Sequence, residues 1–516
     1  MKKILELNVF PKNIDDLGII RTIAAREAKI SVDEITALRV VRRSLDARPR
    51  SPIYRVSVEL YINEMPHGEP FPLNYNPVPA GAKAVHIVGF GPAGMFAALR
   101  LIELGIRPII YERGKEVQER RRDIRNLMQE HIVNENSNYC FGEGGAGTFS
   151  DGKLYTRSNK RGDIKKILRV LNYHGASDDI LIDAHPHIGS NKLPDVVQAI
   201  RKTILGRGGE IYFNARLTDI GVRDNTLKSI VINNNEEIEV NALLLAAGHS
   251  ARDIYELLQR KNIYLESKDF AVGVRIEHPQ EMINEWQYRE AETRKYLPPA
   301  AYSVACQVDG YGVFSFCMCP GGIVVPASTG YNELVLNGMS VSRRDSPFAN
   351  SGFVVTVRKE DVRKIYGDDS FAGLQYQSHI EHAAYDISRS QKSPAQRAQD
   401  FLKGKESISL PKSSYIPGLV SADLRSIFPK EISNALRRAL LQADKKMPGF
   451  AGNDALLLAP ETRTSSPIRV KRDAGSLNHV QIKRLIPSGE GAGYAGGIVS
   501  AAIDGELCAE AAAKSI

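Results

Sequence analysis

Cysteine is scarce: the 516 residues hold five, at positions 140, 306, 317, 319 and 508. Five scattered thiols build no disulfide framework, and a reducing cytoplasm is the expected setting. Long apolar runs are missing too, and no stretch approaches the roughly 20 residues that a membrane helix needs. After Met1-Lys2-Lys3, the residues Glu6, Asn8 and Pro11 interrupt any signal-peptide core. His and Cys are not grouped at ligand spacing, so no metal is expected. There is one tryptophan, and no aromatic-rich stretch offers a stacking platform for single-stranded nucleic acid. Neither charge dominates: 68 Lys and Arg against 60 Asp and Glu leave +8. That excess admits an anionic substrate or nucleic acid without demanding either. Hydrophobic content of 43% and charged content of 25% are ordinary for a globular chain long enough for several domains.

The pattern along the chain predicts an α/β protein. Residues 1–63 read as a small N-terminal α/β module, with strands expected at 5–9, 37–43 and 54–62 and a helix at 15–29. Its segment 39–55 is densely basic, which suits a solvated or interdomain face or, less simply, a phosphate contact. Residues 64–83 carry five prolines, Pro66, Pro70, Pro72, Pro77 and Pro79, and read as an extended linker. Residues 84–262 read as the first part of a Rossmann-like domain with a parallel sheet. A helix is expected at 192–206, and the strands in 208–248 are expected to return to that sheet. Residues 263–454 change to mixed strands and polar helices, including 374–389 and 430–446, and read as an inserted α+β substrate domain. Residues 455–516 return to the first domain.

The most specific segment is 85–112, VHIVGFGPAGMFAALRLIELGIRPIIYE. A short apolar strand enters a glycine turn, a helix follows, and a second strand ends in an acid. Gly89 permits the tight turn and Gly91 lets backbone approach a pyrophosphate, while Pro92 and Ala93 open the helix whose positive end faces it. Gly94 permits close helix–strand packing, and Glu112 stands about 20 residues on, where a ribose-binding acid belongs. Arg113 is assigned to the same surface. The spacing therefore predicts dinucleotide binding. A second such fingerprint is missing, which favours FAD, held non-covalently, as the tight cofactor. NAD(P)H would then act as a transient electron donor without a Rossmann domain of its own.

Further segments extend this surface. In 141–157, FGEGGAGTFSDGKLYTR, glycine density (Gly144 and Gly145 above all) lets backbone N–H groups face a phosphate or ring. Segment 243–253 closes an apolar strand on Ala247 and Gly248, and Leu217 is placed on the same cofactor surface. In 488–498, Gly489 and Glu490 precede Gly496, Gly497 and Ile498, which open the last helix. Glu490 is placed to accept ribityl hydroxyls, and that helix end is placed to favour the anion of a reduced flavin.

Together, CFGEGGAGTFSDGKL, AAGHSARD, SFCMCPGG, ETRTSSP and GEGAGYAGGI resemble the uncharacterised bacterial FAD-dependent dehydrogenases known as NAD(FAD)-utilizing dehydrogenases. That family resembles the glutathione-reductase and fumarate-reductase type of flavoprotein. The resemblance spans nearly the whole chain, including RRSLDAR at 42–48. It implies an FAD-dependent oxidoreductase that moves hydride or electrons through flavin N5, and it names no substrate.

Candidates for the substrate chemistry are His249 as a proton donor, Arg275 and Arg463 as anion-binding cations, and Cys317 with Cys319 as a thiol relay. Each has a plainer reading as a cap, an ion pair or a packing residue. The expected partner is a small, anionic molecule. Two other readings remain open: a flavoprotein that acts on or binds RNA, and a flavin-bound sensor or scaffold without catalysis.

Overall fold

In the computed structural model, which describes residues 1–66, 73, 75–156 and 162–516, the chain opens with an antiparallel sheet. Strand Ile53–Ile62 lies between Lys2–Val9 and Ile35–Asp46. Helix Leu17–Ala28 covers one face. It starts later than expected because the Asp16 carboxylate accepts the Gly18 and Ile19 N–H groups and so acts as its cap. Leu7, Ile20, Val56 and Val58 form its core. The basic segment of this module finds acids. Arg43 reaches Asp183 at 2.7 Å and Asp179 at 3.0 Å in the following domain, and Arg48 and Arg55 both hold Asp46. Of the expected linker, residues 67–72 and 74, with Pro70 and Pro72, lie outside the described residues, as does Arg157.

A five-stranded parallel sheet follows, ordered Leu485–Pro487, Leu243–Leu245, Ala84–Val88, Arg107–Tyr111 and Glu210–Tyr212. Helices Pro92–Glu103 and Ile498–Ser515 lie along each other on it. Gly505 makes that approach possible: a Cβ there would stand 2.1 Å from the Ala93 carbonyl oxygen. The strands of 208–248 depart from expectation. Only Glu210–Tyr212 and Leu243–Leu245 enter the parallel sheet, while Leu217–Arg223, Thr226–Ile232 and Glu236–Glu239 form an antiparallel meander. The reason is local. Asp224-Asn225 and Asn233-Asn234 adopt left-handed backbone, which makes tight hairpin turns, and a parallel return needs a far longer crossover.

The inserted block is built on a seven-stranded sheet. Its order is Ala305–Val308, Tyr311–Cys319, Phe348–Val357, Phe270–Pro279, Leu456–Glu461, Ser393–Arg397 and Leu419–Ser421. Helices Ala372–Ser388 and Lys430–Lys446 contribute to its core with Ile276, Val355 and Leu457. Strand Leu456–Glu461 pairs with both Phe270–Pro279 and Ser393–Arg397, so the sheet continues past residue 454. Where the chain enters and leaves this block, Leu265–Ser267 pairs antiparallel with Ile468–Val470. Among the described residues, no helix is long and apolar enough to cross a membrane, and no group of His, Cys, Asp and Glu is placed to hold a metal ion.

Candidate functional site

The glycine turn after Ala84–Val88 is packed from three sides. Gly89 has φ +99°, and a Cβ there would meet the Ala246 carbonyl oxygen at 2.3 Å. A Cβ on Gly94 would stand 2.0 Å from the Gly89 oxygen, so the helix sits directly on the turn. Helix Pro92–Glu103 begins at Gly91 with Pro92 in its first turn, and no side chain caps its first N–H groups. Segment Gly145–Gly147 lies against Gly91, and Gly144 N–H donates to the Phe90 carbonyl at 2.8 Å.

Glu112 organises this turn. Its carboxylate, 4% exposed, accepts N–H groups from Phe90 at 2.8 Å and from Gly114 and Gly142 at 2.9 Å each. Three donors on one ion tie two loops to the strand end and leave lone pairs for a further partner. Arg120 was not singled out from the sequence, yet it is fully buried and donates to the carbonyls of Asn138, Tyr139, Glu143 and Gly145. It shapes the glycine-rich loop from beneath. On a helix with as many charges as Val117–Gln129, nothing in the sequence separates Arg120 from its solvated neighbours.

Two clefts flank the turn. The first brings together Gly89, Glu112, Arg113, Leu217 and Ala247, with Phe141 and Asp253. Arg113 lies over the Phe141 ring at 4.2 Å and pairs with Asp253 at 2.9 Å, so its planar side chain forms a wall. The second cleft lies between the parallel-sheet domain and the inserted block. His249, Cys140, Ser150, Gly338, Glu461 and Arg463 are among its lining residues. Glu490 stands 3.9 Å from His249 Nδ1. Gly248, Gly496 and Gly497 have open space where a Cβ would point, and Gly147 comes close to Ile498 at the start of the last helix. Gly489 N–H is taken by the buried Asp504.

The expected catalytic residues divide. His249 lines the second cleft, and burial pushes its imidazole below the usual histidine range although Glu490 pulls the other way. It is therefore neutral near pH 7, a donor or acceptor according to its tautomer. The arginines are not free. Arg463 pairs with Glu381 and Glu333, both at 2.8 Å, and Arg275, wholly buried, pairs with Glu461 at 2.8 Å and with Asn350 at 3.0 Å. Their positive charge is largely taken up by acids of the wall, in keeping with the ion-pair reading of both arginines, while Arg463 still lines the cleft. Cys317 and Cys319 stand together behind Arg275, facing Lys153.

The donor set suits a dinucleotide. It offers a helix N-terminus that no side chain caps, an acid at the neighbouring strand end, and glycines at 248, 496 and 497 with open space where a Cβ would point. Residues 269–464 match the family described as FAD-dependent protein, C-terminal domain-like, and residues 1–61 match a domain of unknown function. The chain is 40% identical over 516 residues to an uncharacterized protein of Clostridium beijerinckii (strain ATCC 51743 / NCIMB 8052), covering 96% of each. Looser likenesses include CtdE in complex with FAD, at 13% identity over 84% of each chain and a TM-score of 0.31. Another is a glycine oxidase from Bacillus cereus ATCC 14579, at 11% identity over 84% of this chain and 96% of that one, with a TM-score of 0.37.

Proposed function

The chain belongs to one family with the clostridial protein, and from that premise we propose that it is a flavoenzyme that binds FAD non-covalently and oxidises or reduces a small molecule in the second cleft. The observation that carries this reading is the Gly89–Gly94 turn with Glu112 at the adjacent strand end. Residues Gly89, Gly91, Pro92, Ala93 and Gly94 would hold the pyrophosphate at the helix N-terminus. Glu112 would take the ribose hydroxyls, and Arg113, Leu217 and Ala247 would border the adenosine. Gly144, Gly145, Gly248, Gly489, Glu490, Gly496, Gly497 and Ile498 would border the flavin end. The match of residues 269–464 to an FAD-dependent family supports FAD over other dinucleotides.

FAD, when bound, supplies hydride or electron transfer at flavin N5. The chain supplies the rest. The N-terminus of helix Ile498–Ser515 presents its dipole to developing negative charge. Neutral His249 holds a proton at the cleft wall. The inserted block forms one wall of the cleft, and water displaced from it on substrate binding would strengthen each polar contact inside. NAD(P)H is the electron donor in this reading, reaching the cleft without a second Rossmann domain. Anaerobic addition of NADH or NADPH to the purified yellow protein tests it: bleaching of the flavin absorption by one of them is expected. If neither bleaches a flavin that dithionite does reduce, the nicotinamide role falls.

A further inference from the structure

Strand Tyr311–Cys319 pairs in register with Phe348–Val357 as far as Phe316, slips, and resumes where Cys319 meets Asn350. In the slip Cys317 takes φ +46°, a left-handed conformation that is costly for a residue with a Cβ and persists only where its surroundings impose it. The kink brings two thiols together. The Cys319 thiol donates to the Cys317 carbonyl at 3.3 Å. Lys153 Nζ stands 3.8 Å from Cys317 Sγ and 3.5 Å from Cys319 Sγ. Arg275 Nη2 donates to the Cys317 carbonyl at 2.9 Å and lies 3.9 Å from Cys319 Sγ.

The acids nearby are already claimed: Asp151 by Arg344 at 2.8 Å and Lys153 at 3.1 Å, and Glu461 by Arg275. Tyr302 and His187 are the other titratable groups around this cluster, both buried enough to stay neutral at pH 7. Lys153 and Arg275 are the cations beside the sulfurs, and Asp151 opposes them from behind Lys153. The neighbouring Cys319, and then Lys153, hold the Cys317 thiol well below the usual range against its burial, while the Cys319 thiol is pushed well above. Opposite shifts on the two sulfurs favour a thiolate at Cys317 beside a thiol at Cys319. Cys317 is half-buried and Cys319 has no exposed surface. The pair adjoins the second cleft, because Glu461 and Gly338 line it and both touch Arg275.

We propose that Cys317 and Cys319 form a thiol–disulfide exchange site whose substrate is a small disulfide. The proposal rests on the flavin reading for its supply of electrons. The Cys317 thiolate attacks one sulfur of the substrate, whose S–S bond breaks, and the first product leaves as a thiolate that takes a proton from water. Cys319 then attacks the Cys317 sulfur of this mixed disulfide. The second product leaves with the Cys319 proton, and a Cys317–Cys319 disulfide forms. The cycle closes when that disulfide returns to two thiols with two electrons and two protons from reduced flavin, Cys317 then losing its proton to water. A disulfide between residues two apart closes a small ring, and any strain in it would make it more readily reduced, as turnover requires.

The test uses the full-length protein and hydroxyethyl disulfide as probe, followed by mass spectrometry of the peptide that holds both cysteines under non-reducing conditions. The expected result is the loss of two hydrogen masses from that peptide, reversed by a reductant. Iodoacetamide at neutral pH should label Cys317 about tenfold faster than Cys140, Cys306 or Cys508. Cys319→Ser should stop at the mixed disulfide on Cys317, an outcome that mere packing would not produce. Lys153→Met should slow labelling of Cys317 about tenfold, and Lys153→Arg should restore much of it. A wild-type peptide that keeps both thiols, or a Cys317 that labels no faster than Cys140, would overturn the proposal. The visible spectrum of the same sample separates the two readings. A colourless protein that forms the disulfide removes the flavin and keeps the thiol site, and a yellow protein with inert thiols does the reverse.

Discussion

Arg463 and Glu381 meet at 2.8 Å, the arginine side chain 5% exposed and the carboxylate fully buried. Glu381 lies on helix Ala372–Ser388 of the inserted block and also holds Arg252, which opens a helix of the parallel-sheet domain. Glu333 adds a second acid to Arg463 at 2.8 Å. The network therefore fastens the inserted block to the first domain at the wall of the second cleft.

Removing one partner of such a network strands the others without water. Glu381→Gln is expected to cost about 3–5 kcal/mol, read as a fall in denaturant midpoint. Burial pushes the Glu381 carboxyl up, but Arg252 and Arg463 outweigh it and hold it at about 2. A carboxyl depressed in the folded state adds stability above the ordinary carboxylate range, and that stability is lost as the pH falls toward 2. Melting curves of the wild type should therefore decline more steeply between pH 5 and pH 3 than those of Glu381→Gln; parallel curves would contradict this.

Glu112→Ala removes the acceptor of three backbone N–H groups as well as the proposed ribose contact. Hydrogen bonds to a charged group contribute about 1.5–3 kcal/mol each, so FAD retention should fall by at least about tenfold. Equilibrium dialysis against FAD reads the change. Retention equal to wild type would mean that Glu112 serves neither the turn nor the cofactor.

Arg120→Met keeps the bulk of the side chain and strands four carbonyl groups beneath the glycine-rich loop. A loss of several kcal/mol is expected at about 1–3 kcal/mol for each unsatisfied group, with faster amide exchange centred on 138–147. Unchanged exchange in that segment would show that the loop holds itself.

The strongest segments of the fold were legible because their signals are local. The strand, glycine turn, helix and acid from Val85 to Glu112 need no distant partner to be recognised, and helix Lys430–Lys446 carries its own apolar face from Ile432 to Ala443. What stayed hidden depends on distance. The meander after Leu217 was read as a return to the parallel sheet because its alternation fits either pairing; only the paired left-handed turns at Asp224-Asn225 and Asn233-Asn234 decide it. The central place of Leu456–Glu461 in the inserted sheet follows from its two neighbours, both far off in the chain. At the site, the glycines and Glu112 were legible by spacing. The acids that neutralise Arg463 and Arg275, and the lysine that faces Cys317, are ordinary charges until the chain is folded.

Arg43 is the clearest tie between the N-terminal module and the domain after it. Its acid partners Asp179 and Asp183 are 58% and 32% exposed, so solvent screens the pairs and Arg43→Ala should cost about 1 kcal/mol of overall stability. Faster amide exchange is expected at 179–183 and at the end of strand Ile35–Asp46. A loss of global stability well beyond that would mean the module is part of the core.

The most direct measurement concerns the cofactor itself: the visible spectrum of the purified full-length protein, followed by acid denaturation and chromatography of the supernatant. The expected result is a yellow protein with the two-banded flavin absorption, from which denaturation releases intact FAD in stoichiometric amount and leaves colourless polypeptide. A protein that is colourless as isolated, and remains so after refolding in the presence of FAD, would contradict the flavoenzyme assignment.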